Sequence, residues 1–256
     1  MRIGVVADVH GNLPALEAVA AALADDGVDL VVNCGDIVSG PVDPAGVADF
    51  LTAPGRAWVS LAGNHERQVL TRIPSRVDDF TYDHLGAARL EWLATLAPTL
   101  EPAPGVLACH GSPTDDLQYL LETVDPAIQP GALRRATPDE VAERLVPART
   151  AGLLDGVTLL LVGHTHLARE LRLGGLYIVN PGSVGWPAYD DDVPSFHVVE
   201  AGSPHARYAI VTGSPDEGWS AEYRQVVYDW DAAADAAAQN GFPDIGAAMR
   251  TGFLPQ

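Results

Sequence analysis

The chain has 256 residues, of which 47% are hydrophobic, so it can bury a sizeable core in one α/β domain. Its net charge is −19, and all 15 basic residues are arginines. A surface this acidic repels polyanions, so the composition argues against a nucleic-acid groove or an anionic membrane as a partner. No apolar run approaches the roughly 20 residues that span a bilayer, and the chain opens directly into a strand, so we expect a cytoplasmic protein.

The first half of the chain alternates short apolar runs with segments of helical periodicity. Strands are predicted at 3–7, 30–33, 58–62, 106–109 and 158–162. Helices are predicted at 13–24, 44–51, 82–96 and 137–149. The loop-rich stretches 73–81 and 111–132 break this alternation, and the second is long enough to form a flap or lid.

The second half has a different character. Short strand-like runs are separated by Gly, Pro and Asp, which is typical of an antiparallel sheet; they lie at 170–173, 177–179, 195–199, 206–211 and 221–228. Two helices are predicted after them, at 230–240 and 244–249. The sum predicts an α/β fold in which two sheets pack face to face with helices outside.

Each of the five strands predicted in the first half is followed by side chains that bind metals. The candidate ligands, in chain order, are Asp8, His10, Asp36, Asn64, His110, His164 and His166. Ligands collect beyond the carboxyl ends of strands in open α/β sheets, so we expect these side chains to meet at one rim. Any one of these motifs is common by chance, but five of the eight histidines follow predicted strands in this way.

Mixed Asp, Asn and His donors exclude a thiolate zinc site and fit Mn²⁺, Fe, Zn²⁺ or Ni²⁺. One ion takes about four to six donors, so seven candidates indicate two divalent transition metals that share a bridging carboxylate. Two ions about 3.5–4 Å apart clamp the attacking and leaving oxygens of a displacement and lower the pKa of a water molecule between them. We favour Mn²⁺ among these metals.

The motifs resemble those of one known family, the calcineurin-like metallophosphoesterases. Its five signature blocks are similar, in the same order, to Asp8-Val9-His10, Gly35-Asp36, Gly63-Asn64-His65-Glu66, His110 and Gly163-His164-Thr165-His166. The segment 180–185 resembles the small bacterial and archaeal phosphodiesterase-type branch. The resemblance implies a four-layer α-β-β-α sandwich of two mixed sheets with flanking helices. It fades after about residue 228, so we expect a metallophosphoesterase domain at 1–228 and a helical tail at 229–256 packed on it.

The resemblance also implies roles for the candidate ligands. The first metal would be held by Asp8, His10 and His166, the second by Asn64, His110 and His164, and Asp36 would bridge the two. A metal-bridging hydroxide would attack the phosphorus of a phosphate ester in line. The resemblance favours a phosphodiesterase over a monoesterase.

Other site residues are expected around the metals. His65 would not bind metal but would face the substrate, stabilise the phosphoryl group and protonate the leaving alkoxide, as a catalytic residue beside Asn64. Glu66 could hold the ring of His65. Asn12 is expected to orient the site from behind, and Ser183 to support the site or contact the substrate.

The loops near the site depart from the family. Arginines that often occur in this branch near Thr114 and after Gly185 are absent, and acidic residues stand there instead, which argues against a polyphosphate substrate. Trp186 and Tyr189 could stack on a base, although a Trp packed under a loop is the more common situation. We expect a small phosphorylated substrate, with a nucleotide-like ester as one candidate, and the sequence is compatible with a homo-oligomer.

Three other functions compete with hydrolysis of a small ester. A silent scaffold, like the retromer subunit that resembles this family, would have no need for the general acid His65. A serine/threonine phosphatase shares the Gly-Asn-His-Glu motif but is usually longer. A nuclease would need a basic groove, which the sequence lacks.

The remaining histidines and the cysteines receive structural interpretations. His84 is expected on a solvated helix face, His197 within a strand and His205 in a loop, and none of them is expected to bind metal. Cys34 and Cys109 each end an apolar run, and we expect both to be buried, inert thiols.

Overall fold

A computed structural model describes residues 1–56, 58–125 and 132–255. Up to the middle of the chain the elements are β1 (Arg2–Val6), α1 (Leu13–Asp26), β2 (Leu30–Asn33), α2 (Pro44–Thr52), β3 (Trp58–Ser60), α3 (Asn64–Thr71), α4 (Arg76–Leu85), α5 (Ala87–Leu93), β4 (Thr99–Ala103), β5 (Val106–Cys109) and β6 (Glu122–Val124). The first three strands and their connecting helices follow the alternation that the apolar runs predict.

The second half contains more strand than helix. Its elements are β7 (Leu133–Arg135), α6 (Pro138–Arg144), α7 (Val146–Thr150), β8 (Leu159–Leu161), β9 (Ala168–Leu173), β10 (Leu176–Pro181), β11 (Ala188–Asp191), β12 (His197–Glu200), β13 (Ala206–Ser214), β14 (Gly218–Val226), α8 (Trp230–Gln239) and α9 (Pro243–Thr251). None of the helices in the described ranges is both long and apolar enough to cross a bilayer.

Two five-stranded mixed sheets form the centre of the molecule. The first has the order β14-β13-β1-β2-β3 and the second β4-β5-β8-β10-β9. Strands β1, β2 and β3 are parallel, as are β5, β8 and β10, whereas the outer strands β13, β14, β4 and β9 pair antiparallel to their neighbours. Their parallel cores direct the carboxyl ends of successive strands toward one edge, which is where the candidate ligands follow.

Alternation of buried side chains along the strands produces the layers. In β5, Val106 and Ala108 join the core between the sheets, while Leu107 and Cys109 pack outward with Val141 of α6. The core between the two sheets also contains Ile3, Val5, Val32, Leu159, Leu161, Tyr177, Val179, Ala209 and Val211. Burying each Ile, Leu or Val contributes about 1.5–3 kcal/mol. The four-layer sandwich of two mixed sheets with flanking helices is therefore confirmed.

The strand runs of the second half do not form a sheet of their own, so that part of the sequence-based expectation is wrong. Strands β9 and β10 complete the second sheet, β13 and β14 extend the first, and β11 pairs with β12 in a separate hairpin. The periodicity of hydrophobic residues and the turn residues identify a strand but not its partner strand, because pairing depends on contacts between residues far apart in the chain.

The region 73–96 also differs from its prediction. A helix begins at Arg76 within the stretch expected to be a loop, and the helix expected at 82–96 is divided at Gly86. Gly86 has φ 71° and ψ 164°, a conformation that only glycine adopts without strain. The side chain of Ser75 caps α4 by accepting a hydrogen bond from Asp78 N. Serine is common both in loops and at the first position of helices, so the sequence around it predicts a loop.

The two C-terminal helices lie where the sequence predicts them. Phe242, Ile245 and Met249 form an apolar cluster that reaches Val77 and Trp186. The division into a domain at 1–228 and a tail at 229–256 stays a prediction. Of the flap expected at 111–132, residues 126–131 lie outside the described residues, and the rest contains β6.

Candidate metal centre

The candidate ligands follow strands of both sheets, and their backbone is unusual. Six non-glycine residues of the described chain have a positive φ, and five of these are candidate ligands: Asp8, His10, Asp36, His164 and His166. Each such conformation costs about 1–2 kcal/mol. Strain concentrated in this way marks a functional site.

Three overlapping groups of side chains could each hold a metal ion. One is Asp8, His10 and His166; the second is Asp36, His110 and His164; the third is His10, Asp36 and His65. Asp36 Oδ2 lies 3.0 Å from His110 Nε2 and 3.9 Å from His10 Nε2. The Asp36 carboxylate therefore lies close to both the first group and the second, of which it is a member.

Backbone carbonyls fix the orientation of the imidazole rings. The Nδ1 atoms of His10, His110 and His166 lie 2.7, 2.8 and 2.6 Å from the carbonyl oxygens of Ser39, Cys34 and Trp186. Because a carbonyl only accepts, each Nδ1 carries a proton, so Nε2 is the atom whose lone pair can bind a metal when the ring is neutral. In His164 the roles are reversed, since Nε2 lies 3.0 Å from the Leu117 oxygen, so Nδ1 is the free ligand atom.

Several of these lone pairs have no proton to satisfy them, which is the pattern that a cation requires. His10 Nε2 and His166 Nε2 face each other at 3.1 Å, and burial lowers the pKa of His10 to about 4, so that two neutral acceptors would repel. Asp8 Oδ2 and Asn64 Oδ1 are buried without a hydrogen-bond partner. The donors fit divalent metal binding, since buried polar atoms are otherwise nearly always paired.

The pKa values of Asp8 and Asp36 also fit the binding of a cation. Burial, more than the neighbouring charge of Asp36, raises the pKa of Asp8 to about 8. Burial also acts to raise the pKa of Asp36, but His110 and His65 outweigh it and hold that pKa well below its usual range. A divalent cation among these carboxylates would stabilise both in the ionised form.

His65 is oriented by Asp78 and not by Glu66. The Nδ1 atom of His65 lies 2.8 Å from Asp78 Oδ1, and Asp78 also accepts a hydrogen bond from the Ser39 hydroxyl. Asp78 and Ser39 both lie outside the five motifs, and Asp78 is buried in the first turn of α4. The Nε2 atom of His65 is left for the cavity, which this residue helps to line.

Glu66 has a different task from the one expected of it. Its carboxylate accepts hydrogen bonds from the backbone N–H groups of Asp36, Ile37 and Gly63 at 2.8 Å, and of Val38 at 3.3 Å. It therefore holds the turn that carries Asp36. A charged acceptor suits this position because four donors converge on two oxygens.

Asn12 and Ser183 both support the backbone around Asp8. Asn12 caps α1 and donates a hydrogen bond to the Gly185 oxygen at 3.0 Å. The Ser183 hydroxyl donates to the Asp8 oxygen at 2.8 Å and accepts from Trp186 N. These contacts place both residues behind the candidate ligands.

A cavity of about 290 Å³ opens above the candidate ligands. Tyr119 and Tyr189 line it, and their hydroxyl oxygens are 2.6 Å apart. His197 Nε2 contacts the Tyr119 hydroxyl at 3.0 Å, so this histidine supports a residue of the lining. It belongs to none of the potential metal-binding groups among the described residues. Trp186 packs against the α9 cluster and also lines the cavity.

The sequence motifs lead to the residues that converge on the cavity but miss those that support them. Asp78, Tyr119 and His197 are remote from every motif and had no local signal. The sequence placed Cys34 and Cys109 correctly as buried thiols, and His84 lies exposed on α4. The individual metal and catalytic roles stay predictions.

Comparison with known proteins agrees with this geometry. The sequence model of the calcineurin-like phosphoesterase superfamily domain matches residues 1–203. A metallophosphoesterase from Sphaerobacter thermophilus is 26% identical, with a TM-score of 0.67, and the match covers 98% of this chain and 99% of that one. A hypothetical protein from Pyrococcus horikoshii OT3 has a TM-score of 0.73 at 18% identity and 99% coverage of both chains, which shows the shared fold.

None of the curated proteins matches the chain, so the family and the solved structures carry the assignment. The family match spans the parallel strands of both sheets and every candidate ligand. This chain belongs to the calcineurin-like phosphoesterase superfamily and is a metal-dependent phosphoric ester hydrolase.

Proposed function

We propose that the protein is a dinuclear-metal phosphodiesterase that acts on a small substrate. The observation that carries this proposal is the position of Asp36. Its carboxylate lies between two groups of three donors, with one oxygen 3.0 Å from His110 Nε2 and 3.9 Å from His10 Nε2. A single carboxylate in that position can be shared by two ions.

Asp8, His10 and His166 would hold one ion, and Asn64, His110 and His164 the other. When bound, two divalent ions supply Lewis acidity and a hydroxide nucleophile for in-line attack near neutral pH. The protein holds its histidine rings before any ion arrives, because each Nδ1–H or Nε2–H is already donated to a carbonyl.

His65 would protonate the leaving group. Burial acts to lower its pKa, but Asp36 and Asp78 outweigh that effect and raise the pKa to about 9. The contact with Asp78 favours the protonated ring, whose Nε2 proton would go to the alkoxide. In the balanced reaction, the oxygen of water forms a bond to phosphorus, the ester P–O bond breaks, and the products are an alcohol and a phosphate monoester.

The lining of the cavity favours a diester over a monoester. Within the described chain, no arginine lines the 290 Å³ cavity, whereas Asp190 and Asp191 do. A monoester dianion would bring one more negative charge than a diester to these carboxylates, with no arginine in the lining to offset it. The acidic protein surface also disfavours the more highly charged monoester.

The proposal is tested with the full chain, stripped of metal and then reconstituted with Mn²⁺. We expect two equivalents of metal by elemental analysis, and faster hydrolysis of bis(4-nitrophenyl) phosphate than of 4-nitrophenyl phosphate. Asp36→Asn should lose activity by at least about 100-fold, because it weakens the shared ligand. Asp192→Asn, an exposed aspartate that does not line the cavity, should behave like the wild type.

Two results would contradict the proposal. A chain that binds a single equivalent of metal at full activity would exclude the dinuclear site. A clear preference for the monoester would exclude the phosphodiesterase assignment.

A further inference from the structure

The cavity has an acidic wall that the proposed chemistry does not use. Asp190 is exposed and Asp191 is half-buried, at the end of β11, and both line the cavity. Asp191 Oδ1 accepts a hydrogen bond from Val193 N at 2.9 Å. Across the described ranges, neither carboxylate forms an ion pair with an arginine or histidine, so their negative charge faces the cavity without a counter-ion from the protein.

Three arginines in or next to the cavity walls are bound to other groups. Arg76 lines a third cavity together with Asp190 and forms an ion pair with Asp244 at 2.5 Å. Arg67 forms two hydrogen bonds, at 2.7 and 2.8 Å, with Asp116. Arg144 donates to the carbonyl oxygens of Tyr119, Leu120 and Glu122, each at 2.9 Å. These side chains cannot turn toward an anionic substituent without giving up bonds that hold the loops.

Aromatic rings lie beside the two carboxylates. Tyr119 and Tyr189, joined through their hydroxyls, line the same cavity as Asp190 and Asp191. Trp186 lines it too, with its ring 4.8 Å from that of His10. Aromatic faces attract cations, and ammonium groups are commonly recognised by rings together with carboxylates.

There is room for a substituent next to the position of the phosphoryl group. A second cavity of about 540 Å³ adjoins the first, and the two share Gln68, Leu117, Tyr119, His164 and Asp191. Asp191 therefore lies at the junction between the metal centre and the space that an alcohol of the diester would occupy.

We propose that the substrate is a phosphodiester in which one alcohol carries an ammonium group, and that Asp190, Asp191 and the Tyr119 ring bind that group. This inference rests on the proposed phosphodiesterase function. The converging ligands define the site, and the carboxylates select which ester enters it. The phosphoryl group is attracted by the metal centre, while the alcohol meets a wall of opposite charge.

The same wall disfavours other phosphate esters. A dinucleoside polyphosphate or a phosphorylated sugar would place a second anion within the range of Asp190 and Asp191. Like charges without an intervening cation repel, and juxtaposed like charges select against wrong partners. A neutral alcohol would gain nothing from the two carboxylates.

The test compares two diesters that have the same shape and differ in one charge. They are 4-nitrophenyl phosphocholine and 4-nitrophenyl 3,3-dimethylbutyl phosphate, in which a carbon replaces the ammonium nitrogen. With the Mn²⁺-loaded full chain we expect kcat/KM to be about fivefold or more higher for the choline ester, as about 1 kcal/mol of charge pairing provides. The ratio should fall toward one as the salt concentration rises.

Variants locate the effect. Asp191→Asn and Asp190→Asn should each lower the choline-to-dimethylbutyl ratio, with the thermal unfolding midpoint confirming that the variant is folded. Asp192→Asn is the matched control, since it removes the same charge from the next position in the chain without touching the cavity, and it should keep the wild-type ratio.

The outcomes separate this inference from the proposed function. A wild-type ratio near or below one, or a ratio unchanged in both cavity variants, would overturn the inference while leaving the phosphodiesterase intact. Hydrolysis of neither diester in the presence of Mn²⁺ would instead overturn the proposed function. If Asp192→Asn lowers the ratio as much as Asp191→Asn, the preference is a property of the acidic surface, and the binding of ammonium in the cavity is wrong.

Discussion

His65 and Asp78 are brought together from two helices, which makes their contact a property of the folded chain. Asp78 is 2% exposed and lies 2.8 Å from His65 Nδ1. Its charge fixes the ring orientation and favours the protonated ring. The pair thus sets both the direction and the availability of the proton on Nε2.

Asp78→Asn should slow the hydrolysis of a diester with an alkyl leaving group by about 10- to 100-fold, because an alkoxide needs a proton to leave. A nitrophenyl leaving group barely needs one, so the rate with bis(4-nitrophenyl) phosphate should change little. The measurement is kcat for both substrates with Mn²⁺ present. Asp79→Asn, the exposed neighbour that pairs with Arg72 at 3.5 Å, is the control, and equal losses on both substrates would show that Asp78 has only a structural role.

At the scale of elements, Gly86 separates α4, the helix that carries Asp78, from α5. Gly86 ends α4 and begins α5 with φ 71° and ψ 164°. A Cβ there would meet nothing nearer than Arg89 Nη1 at 3.9 Å, so the requirement for glycine comes from the backbone and not from crowding. The turn allows Leu85 and Leu93 on both sides of it to be fully buried.

We expect Gly86→Ala to lower the free energy of unfolding by about 1–3 kcal/mol, the cost of a side chain in that conformation. Urea denaturation of the metal-free chain measures it. Gly27→Asn is the matched comparison, because Gly27 has an ordinary left-handed conformation with open space around it, which Asn tolerates. A Gly86→Ala variant as stable as the wild type would mean that the helices can merge, as their sequence suggests.

At the scale of the whole molecule, the candidate metal ligands come from both sheets. Asp8 and Asp36 follow strands of the first sheet, whereas His110 and His164 follow strands of the second. The ligand-bearing turns are strained and carry buried acceptors without partners. The folded chain should therefore be stabilised by any ion that binds these turns together.

Mn²⁺ at 100 times its dissociation constant should stabilise the chain by about 2.7 kcal/mol, which raises Tm by roughly 5–10 °C for a domain of this size. Thermal unfolding with Mn²⁺ and with a chelator gives the shift. Asp36→Asn should show a much smaller one, and Asp192→Asn the full one. An unchanged Tm in the wild type would contradict metal binding by the folded chain.

The motifs predict most of the site because every candidate ligand closely follows one of five apolar runs. Asp8, His10 and Asp36 stand just beyond strands, and that position alone tells where their side chains meet. A residue that orients a site residue from elsewhere in the chain has no such local pattern in the sequence. The ring of His65 is held by Asp78 thirteen residues later, and Glu66, adjacent to that ring in the chain, points instead to the backbone of residues 36–38.

The sequence by itself determined the fold class, the family and the residues that converge at the metal centre, because strand periodicity and the ligands at strand ends are local properties. Only the tertiary structure decided the pairing of the second-half strands, the division at Gly86 and the acidic, aromatic wall formed by Tyr119, Tyr189 and Asp191. Each of these depends on residues distant in the chain, whose contacts form once the two sheets have packed and the core between them has excluded water.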